Sequence, residues 1–410
     1  MTGHALPENL ARYRKARDLS QERLAEAAGI SVDTVARIEQ GTRTTTRPGT
    51  LRKLADGLGV TVADLLGTTP ARRAADLDVT PLRDAITAID DLPGLDFAEA
   101  QDVVPLDQLV ATAHGTWRAY VDGRHVELLH ALPTVLVDAR RVARAAHGDE
   151  KAGAHRVLST AYRLGAGMAG RMGFDDLAWS SAERALEAAR HSDAPEVETV
   201  ISMRYLAWTL VRQGRLDDAE RVAVKAAEQI QPALLERDVT RAGIFGNLLF
   251  NAATAAVSAG RAEHADDLLA EAQAAAVRAR SDSASEAAIF GPRVAALQLV
   301  DSTARAGDPE KALRLAQAVP EARGEVPAFW EAGHRLRLAA ASLQLRQDRH
   351  ALRYLAEARD LAPYWVRTQP LGEAVMARLV ERAPRRLGPE FARLAAHFGV
   401  VTAEPLTGTP

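Results

Sequence analysis

Between residues 173 and 351 the chain writes one short pattern five times. Gly173-Phe-Asp-Asp-Leu-Ala178, Gly214-Arg-Leu-Asp-Asp-Ala219, Gly260-Arg-Ala-Glu-His-Ala265 and Gly307-Asp-Pro-Glu-Lys-Ala312 each set a glycine ahead of an alanine. Gln347-Asp-Arg-His-Ala351 repeats the pattern without the glycine. Small or apolar residues follow each alanine one and two helical turns on: Ala182 and Ala185, Ala223 and Ala226, Leu269 and Ala272, Ala316 and Val319, Leu355 and Ala358. A glycine ends a helix in the left-handed conformation, an acid opens the next helix near its positive end, and an alanine lets the two helices approach closely. The pattern predicts stacked helix hairpins, with key alanines 41, 46, 47 and 39 residues apart. A non-repeating α-bundle is the competing reading. Alanine makes up about a fifth of the chain and aromatics 5%, a balance that favours helices packed through small side chains. From about 106 to 398 the helical period dominates without convincing strand alternation, so the fold class expected is all-α. An earlier, degenerate pair is read at Leu106–Val121 and Arg124–Val142 around Gly123, whereas Pro81, Pro93, Gly94 and Pro105 are expected to break any long helix over 71–105.

Several function classes are excluded or disfavoured. With no cysteine there is no disulfide, thiolate zinc site or cysteine nucleophile. The first residues carry Arg12, Arg14, Lys15 and Arg17 without an apolar core segment, and no long apolar run follows. Neither a signal peptide nor a membrane span is expected, and the chain reads as cytoplasmic. The chain has no Gly-x-x-x-x-Gly-Lys phosphate loop, no Gly-x-Ser-x-Gly elbow and no His-Glu-x-x-His, so an enzyme is disfavoured. Eleven histidines are scattered, and His125 and His130 fall on different helix faces, so no metal and no cofactor are expected.

The segment Leu19–Gly41 carries the function. Ser20 can cap a helix over Gln21–Ala28, Gly29 supplies a turn, Ile30 anchors it, and Ser31 caps a second helix near Val32–Glu39 that buries Val35 and Ile38 before Gly41. Leu10, Tyr13 and Arg14 belong to a preceding helix. Leu51, Leu54, Ala55 and Leu58 form a following one that ends at Gly59, and Thr61–Asp64 reads as a capping box before Leu65 and Leu66. Together these residues resemble the lambda-repressor/Cro (XRE-type) family, a five-helix DNA-binding domain, with a loop at Thr42–Gly49 slightly longer than in short phage repressors. The resemblance implies that the second helix of the motif enters the major groove. Base readout then falls to Val32, Asp33, Thr34 and Arg37, with Arg37 suited to guanine, Asp33 to a cytosine amino group and Val32 to a thymine methyl. Phosphate contacts fall to Gln21, Ser31, Gln40, Arg43, Thr44 and Arg47, and Arg14 with Glu39 matches a family ion pair. A module of this kind that has lost DNA binding and only dimerises is the alternative.

The hairpins resemble tetratricopeptide repeats, longer than usual and mostly lacking the consensus Trp and Tyr. A DNA-binding head on such a body is similar to the peptide-pheromone quorum-sensing regulators of Gram-positive bacteria and to the Ala/Arg-rich XRE–TPR regulators of actinobacteria. The division expected is a head at 1–67, a linker and connecting helix at 68–105, a helical repeat domain at 106–398 and a frayed tail at 399–410. The resemblance implies a homodimer on a double-stranded DNA operator, with a peptide or small-molecule effector in the body and no membrane partner. In such arrays the first helix of each hairpin lines the concave face, which points to Arg163, Arg204, Trp208, Arg212, Asn247, Phe250, Asn251, Thr254, Asp301 and Arg305 as effector contacts. An ordinary solvated polar face with Trp208 packed between hairpins is the competing reading. A protein-interaction module that captures a partner protein, with the head secondary, is the competing function. The net charge of −3 divides unevenly, because residues 1–70 hold ten basic and eight acidic side chains and the body is mildly acidic.

Overall fold

In a computed structural model of the chain, the described residues are 5–41, 46, 48–60, 62, 65, 78–89, 103–232, 238–382 and 388–400. Almost all of them are helical, and the fold is all-α. Two compact units divide the chain: Met1–Arg73 with Arg335–Pro410, and Ala74–His334.

The first unit opens with α1 (Ala5–Ala16), α2 (Gln21–Ala28), α3 (Val32–Glu39) and α4 (Pro48–Leu58). The α2 and α3 limits are those read from the caps. Ser20 Oγ accepts from the Arg23 amide and Ser31 Oγ from the Thr34 amide, while Gly29 takes φ 57°. Each cap satisfies a backbone donor that the first helical turn leaves open. Leu10, Leu24, Val35, Ile38, Leu54, Leu58 and Leu65 form the fully buried centre, with Tyr13 and Ile30 packed against it. Asn9 Nδ2 donates to the Leu65 carbonyl at 3.1 Å. Thr61, Asp64 and Leu66 of the expected capping box lie outside the described residues.

One polar lock closes this core. The Glu39 carboxylate accepts from Arg14 Nε at 2.6 Å, Arg14 Nη2 at 2.8 Å and Gln21 Nε2 at 2.8 Å. The Arg14 and Glu39 side chains are only 12% and 8% exposed. The lock ties α1, α2 and α3 at one point. The unit is completed by the end of α16 (Ala328–Gln344), α17 (Asp348–Leu361), α18 (Pro363–Val366), α19 (Pro370–Arg382) and α20 (Pro389–His397). α1 packs against α19 and α20, and Lys15 Nζ donates to the Glu381 carbonyl at 2.8 Å. Val400 is buried and its amide closes α20 on the Ala395 carbonyl. Val400, which falls within the segment expected to fray, is thus packed, and 401–410 lie outside the described residues.

The second unit is a run of antiparallel hairpins. It starts with the short α5 (Thr80–Ile86), where Pro81 sits in the first turn, a position that tolerates it. The rest of 71–105 that was expected to be irregular lies mostly outside the described residues. α6 (Leu106–Val121), α7 (His125–Ala145), α8 (Gly148–Arg171), α9 (Asp175–Arg190), α10 (Pro195–Arg212), α11 (Leu216–Ile230), α12 (Val239–Ser258) and α13 (Ala262–Ala279) follow. α14 (Pro292–Arg305), α15 (Pro309–Gln317) and the start of α16 complete the unit. α8 and α9, α10 and α11, α12 and α13, and α14 and α15 are the hairpins, and α8, α10, α12 and α14 also touch in sequence as an inner row.

Ala178, Ala219, Ala265, Ala312 and Ala351 have no exposed surface. Gly173, Gly214, Gly260 and Gly307 take φ between 74° and 89°. The amide after each turn glycine reaches back to close the preceding helix, as Phe174 does to the Ala169 carbonyl at 2.9 Å. At the copy without glycine, Arg346 takes the left-handed conformation itself at φ 57°.

Between α13 and α14 the chain makes a small antiparallel ladder, β1 (Ser283–Ala284) with β2 (Ile289–Phe290), which periodicity did not foretell. Phe290 is 1% exposed and lies directly on the α12 backbone, where a Cβ at Gly246 would fall 2.0 Å from its ring.

Two outcomes check this packing. Glu39→Ala removes the shared acceptor of Arg14 and Gln21 and is expected to lower stability by about 2–4 kcal/mol, read from denaturant unfolding. Gly246→Ala drives a methyl into the Phe290 ring and is expected to cost about 1–3 kcal/mol and lower the melting temperature.

Candidate functional site

The first surface is the N-terminal half of α3. Packing of Val35 and Ile38 into the core turns the opposite side of this helix outward. Val32, Asp33 and Arg37 are exposed, and Thr34 is half-buried with its hydroxyl 2.8 Å from Ser31 Oγ. Arg37 Nε donates to Asp33 Oδ1 at 3.1 Å, and Arg37 Nη2 lies 3.1 Å from Asp33 Oδ2. Both side chains are more than 60% exposed, so the pair contributes well under 1 kcal/mol, roughly, to stability. Its importance is positional. An acid that would repel phosphate is held against the one basic side chain on this face of the helix.

Of the phosphate candidates, Ser31 and Gln40 are exposed. Gln21 is half-buried and already spends one amide hydrogen on Glu39. Arg43, Thr44 and Arg47 lie outside the described residues.

The second surface is the inner row of the second unit, where most of the proposed effector contacts already have partners within the chain. Arg163 is 2% exposed, with Nη1 2.7 Å from Glu198 Oε2 and Nη2 2.6 Å from Thr160 Oγ1, which makes it a core ion pair. Asn247 reads a peptide backbone in both directions, but the backbone is the chain's own. Its Nδ2 donates to the Ile289 carbonyl at 2.8 Å and its Oδ1 accepts from the Ile289 amide at 3.3 Å. Phe250 is buried against Phe290. Asn251 donates to the Arg204 carbonyl, and Thr254 Oγ1 accepts from Gln298. Trp208 rides over Gly170, where a Cβ would fall 2.5 Å from the indole. Arg212 stacks on Trp208 and bonds Asp175 at 2.9 Å, and Arg305 bonds Asp301 at 2.6 Å.

Arg204 is different. Its Nη1 donates to Asn247 Oδ1 at 2.9 Å, its buried Nε finds no partner among the described residues, and no carboxylate among them pairs with it. Beside it lies a group that the hairpin count did not select. Arg171 rests 4.3 Å from the Tyr120 ring centroid and 4.7 Å from that of Phe329, and its guanidinium makes no hydrogen bond or ion pair among the described residues. The charges of Arg171 and Arg204 both act on the Tyr120 hydroxyl, whose pKa burial nevertheless raises. His125, 4% exposed, completes the cluster. Burial, with the Arg171 charge as the smaller cause, pushes its imidazole down to about 4. A register signal was present: Arg171, Arg212 and Arg305 each stand two residues before a repeat glycine.

Residues 10–65 match the family model described as Helix-turn-helix. The N-terminal part of the chain is thus an XRE-type helix-turn-helix domain, a DNA-binding module of transcription regulators. No curated protein matches the sequence. Among solved structures, BtubC (BKLC) from P. vanneervenii is 18% identical, covering 63% of this chain and 91% of that one, with a TM-score of 0.36. Bacillus thuringiensis PlcR in complex with the peptide PapR7 and DNA is 12% identical, covering 85% and 98%, with a TM-score of 0.34. Among the described residues no helix is long and apolar enough to cross a membrane.

The His125 environment gives a signed pH dependence. Its folded pKa lies below the ordinary value near 6.5, so the unfolded chain takes up a proton that the folded chain refuses. Stability is full above that ordinary value and falls as the pH drops towards about 4, by a total on the order of 3 kcal/mol. His125→Leu is expected to remove this part of the acid sensitivity, seen as a smaller difference between unfolding free energies measured at neutral and mildly acidic pH.

Proposed function

We propose that the chain is a sequence-specific transcriptional regulator that binds operator DNA as a homodimer through α3 and answers to an effector held by its helical body. The observation that carries the DNA reading is the exposed turn Val32-Asp33-Thr34 with Arg37, on a recognition helix whose other side is fixed by Val35, Ile38 and the Glu39 lock. A rigid helix whose first turn faces away from the core is what major-groove readout requires. Arg37 offers a fork suited to the guanine edge, and Asp33 steadies it and suits a neighbouring cytosine. Nothing in this arrangement resembles catalytic machinery, and the reading is non-enzymatic. The dimer places two heads on half-sites about one helical turn, roughly 34 Å, apart or at multiples of that distance. Within the body the unneutralised pair Arg171 and Arg204 supports effector binding, because a half-buried cation without an acid is stabilised by an anionic guest.

The test is an electrophoretic shift on DNA from upstream of the chain's own coding sequence. Arg37→Ala is expected to lose roughly tenfold or more in affinity while melting at the wild-type temperature. Asp33→Ala is expected to raise affinity for unrelated DNA by removing the repelling carboxylate. Binding that is absent at every salt concentration would overturn the regulator reading in favour of a protein-interaction module.

A further inference from the structure

We infer that the cluster around Arg171 and Arg204 is an anchor for a carboxylate carried on an apolar or aromatic body; the inference rests on the effector reading of the helical body. Every other inner-row arginine discussed has an acid: Arg163 has Glu198, Arg212 has Asp175 and Arg305 has Asp301. Arg171 and Arg204 have none among the described residues. Each instead lies against an aromatic ring, Arg171 on Tyr120 and Phe329 and Arg204 on Tyr205 at 4.6 Å. The rings hold the guanidinium groups in place but accept no N–H hydrogen bond of ordinary strength, so the donors of Arg171 and the Nε of Arg204 stay unspent. His125, uncharged at neutral pH, adds no further positive charge to the cluster.

The chemistry of the guest follows from the surroundings. A guanidinium edge matches a planar carboxylate. Arg171 is the last residue of α8, and Tyr120 lies in the last turn of α6. Helix C-termini carry partial negative charge, which disfavours a dianion such as a phosphate monoester and is better tolerated by a monoanion. Tyr205 and Trp330 are half-buried beside the cluster and offer apolar surface that still reaches solvent. The Asn247 amide is not available to such a guest, because Ile289 occupies it. Recognition therefore runs through the acid group rather than along a peptide backbone at that position. Two sources share this chemistry, a free organic acid and the C-terminus of a peptide.

Calorimetric titration of the full-length chain separates them. The probes are phenylacetate, the blocked tripeptide acetyl-Leu-Leu-Phe as free acid, its C-terminal amide, 2-phenylethanol and phenyl phosphate. At least one free acid is expected to bind saturably, the amide and alcohol are expected to be silent, and Arg204→Gln and Arg171→Gln are each expected to weaken the acid roughly tenfold or more. Binding of phenylacetate alone assigns a small acid, and binding of the tripeptide acid assigns a peptide C-terminus. Circular dichroism melts identify any variant that fails to fold, and Arg171→Lys, which keeps the charge, is expected to retain part of the affinity. The inference is overturned if neither acid binds, if the amide or alcohol binds as well as its acid, if phenyl phosphate alone binds, or if both folded Gln variants bind like wild type. The same preparations are assayed for DNA shifts. DNA binding without acid binding refutes the anchor and leaves the regulator reading standing, whereas acid binding without DNA binding does the opposite.

Discussion

The close approach of two helices across an alanine governs most of the second unit. Ala178, Ala219, Ala265 and Ala312 have no exposed surface, and each stands five residues after a glycine in the left-handed conformation. The turn fixes where the second helix starts, and the alanine fixes how near it comes. Small residues serve the same purpose between hairpins. Gly170 admits the Trp208 ring and Gly246 admits Phe290 at distances no side chain would allow. Large rings therefore sit on bare helix backbone, and few of them are needed. This accounts for a body that is rich in alanine and poor in aromatics.

How far the sequence could be read depended on whether a residue's role was local. The α2 and α3 limits follow from Ser20, Gly29 and Ser31, because caps and turns act within three or four residues. The Arg14–Glu39 pair was foreseen from the family resemblance, but the third partner, Gln21, was not, and it had been set aside for phosphate. The inner row was harder. Counting back from an alanine gives the helix but not the direction each side chain faces, so Arg163 was placed on an open face although it points into the core at Glu198. Asn247 was read as an effector contact, but in the structure it bonds the Ile289 backbone of its own chain. What pattern reading missed is that the chain supplies its own strand at Ile289, because a ladder of two residues per strand leaves no periodicity. Arg171 escaped for a related reason: its significance lies in the partners it lacks, and the absence of a partner is a property of three dimensions. Thr61, Asp64, Arg43, Thr44 and Arg47 fall outside the described residues.

Charge is handled differently in the two surfaces. On α3 the exposed Arg37 and Asp33 neutralise each other, so the recognition helix carries little net charge of its own. In a head with only two more basic than acidic side chains over residues 1–70, this disfavours indiscriminate binding to the phosphate backbone, and under the proposed function discrimination falls to base contacts and dimer geometry. In the body, Arg163, Arg212 and Arg305 are each paired with an acid of the chain, whereas Arg171 and Arg204 have none among the described residues. The contrast is the basis on which the second pair is proposed as the place for a guest.

The central claim is that α3 reads a specific DNA sequence for a twofold dimer. Selection of bound sequences from a random DNA pool by the full-length chain, followed by hydroxyl-radical footprinting of the enriched sequence, tests it most directly. The account predicts one enriched near-palindrome with protected half-sites about one helical turn, roughly 34 Å, apart on one face of the duplex. A pool that stays random after repeated selection, or a single protected site without a dyad, would contradict it.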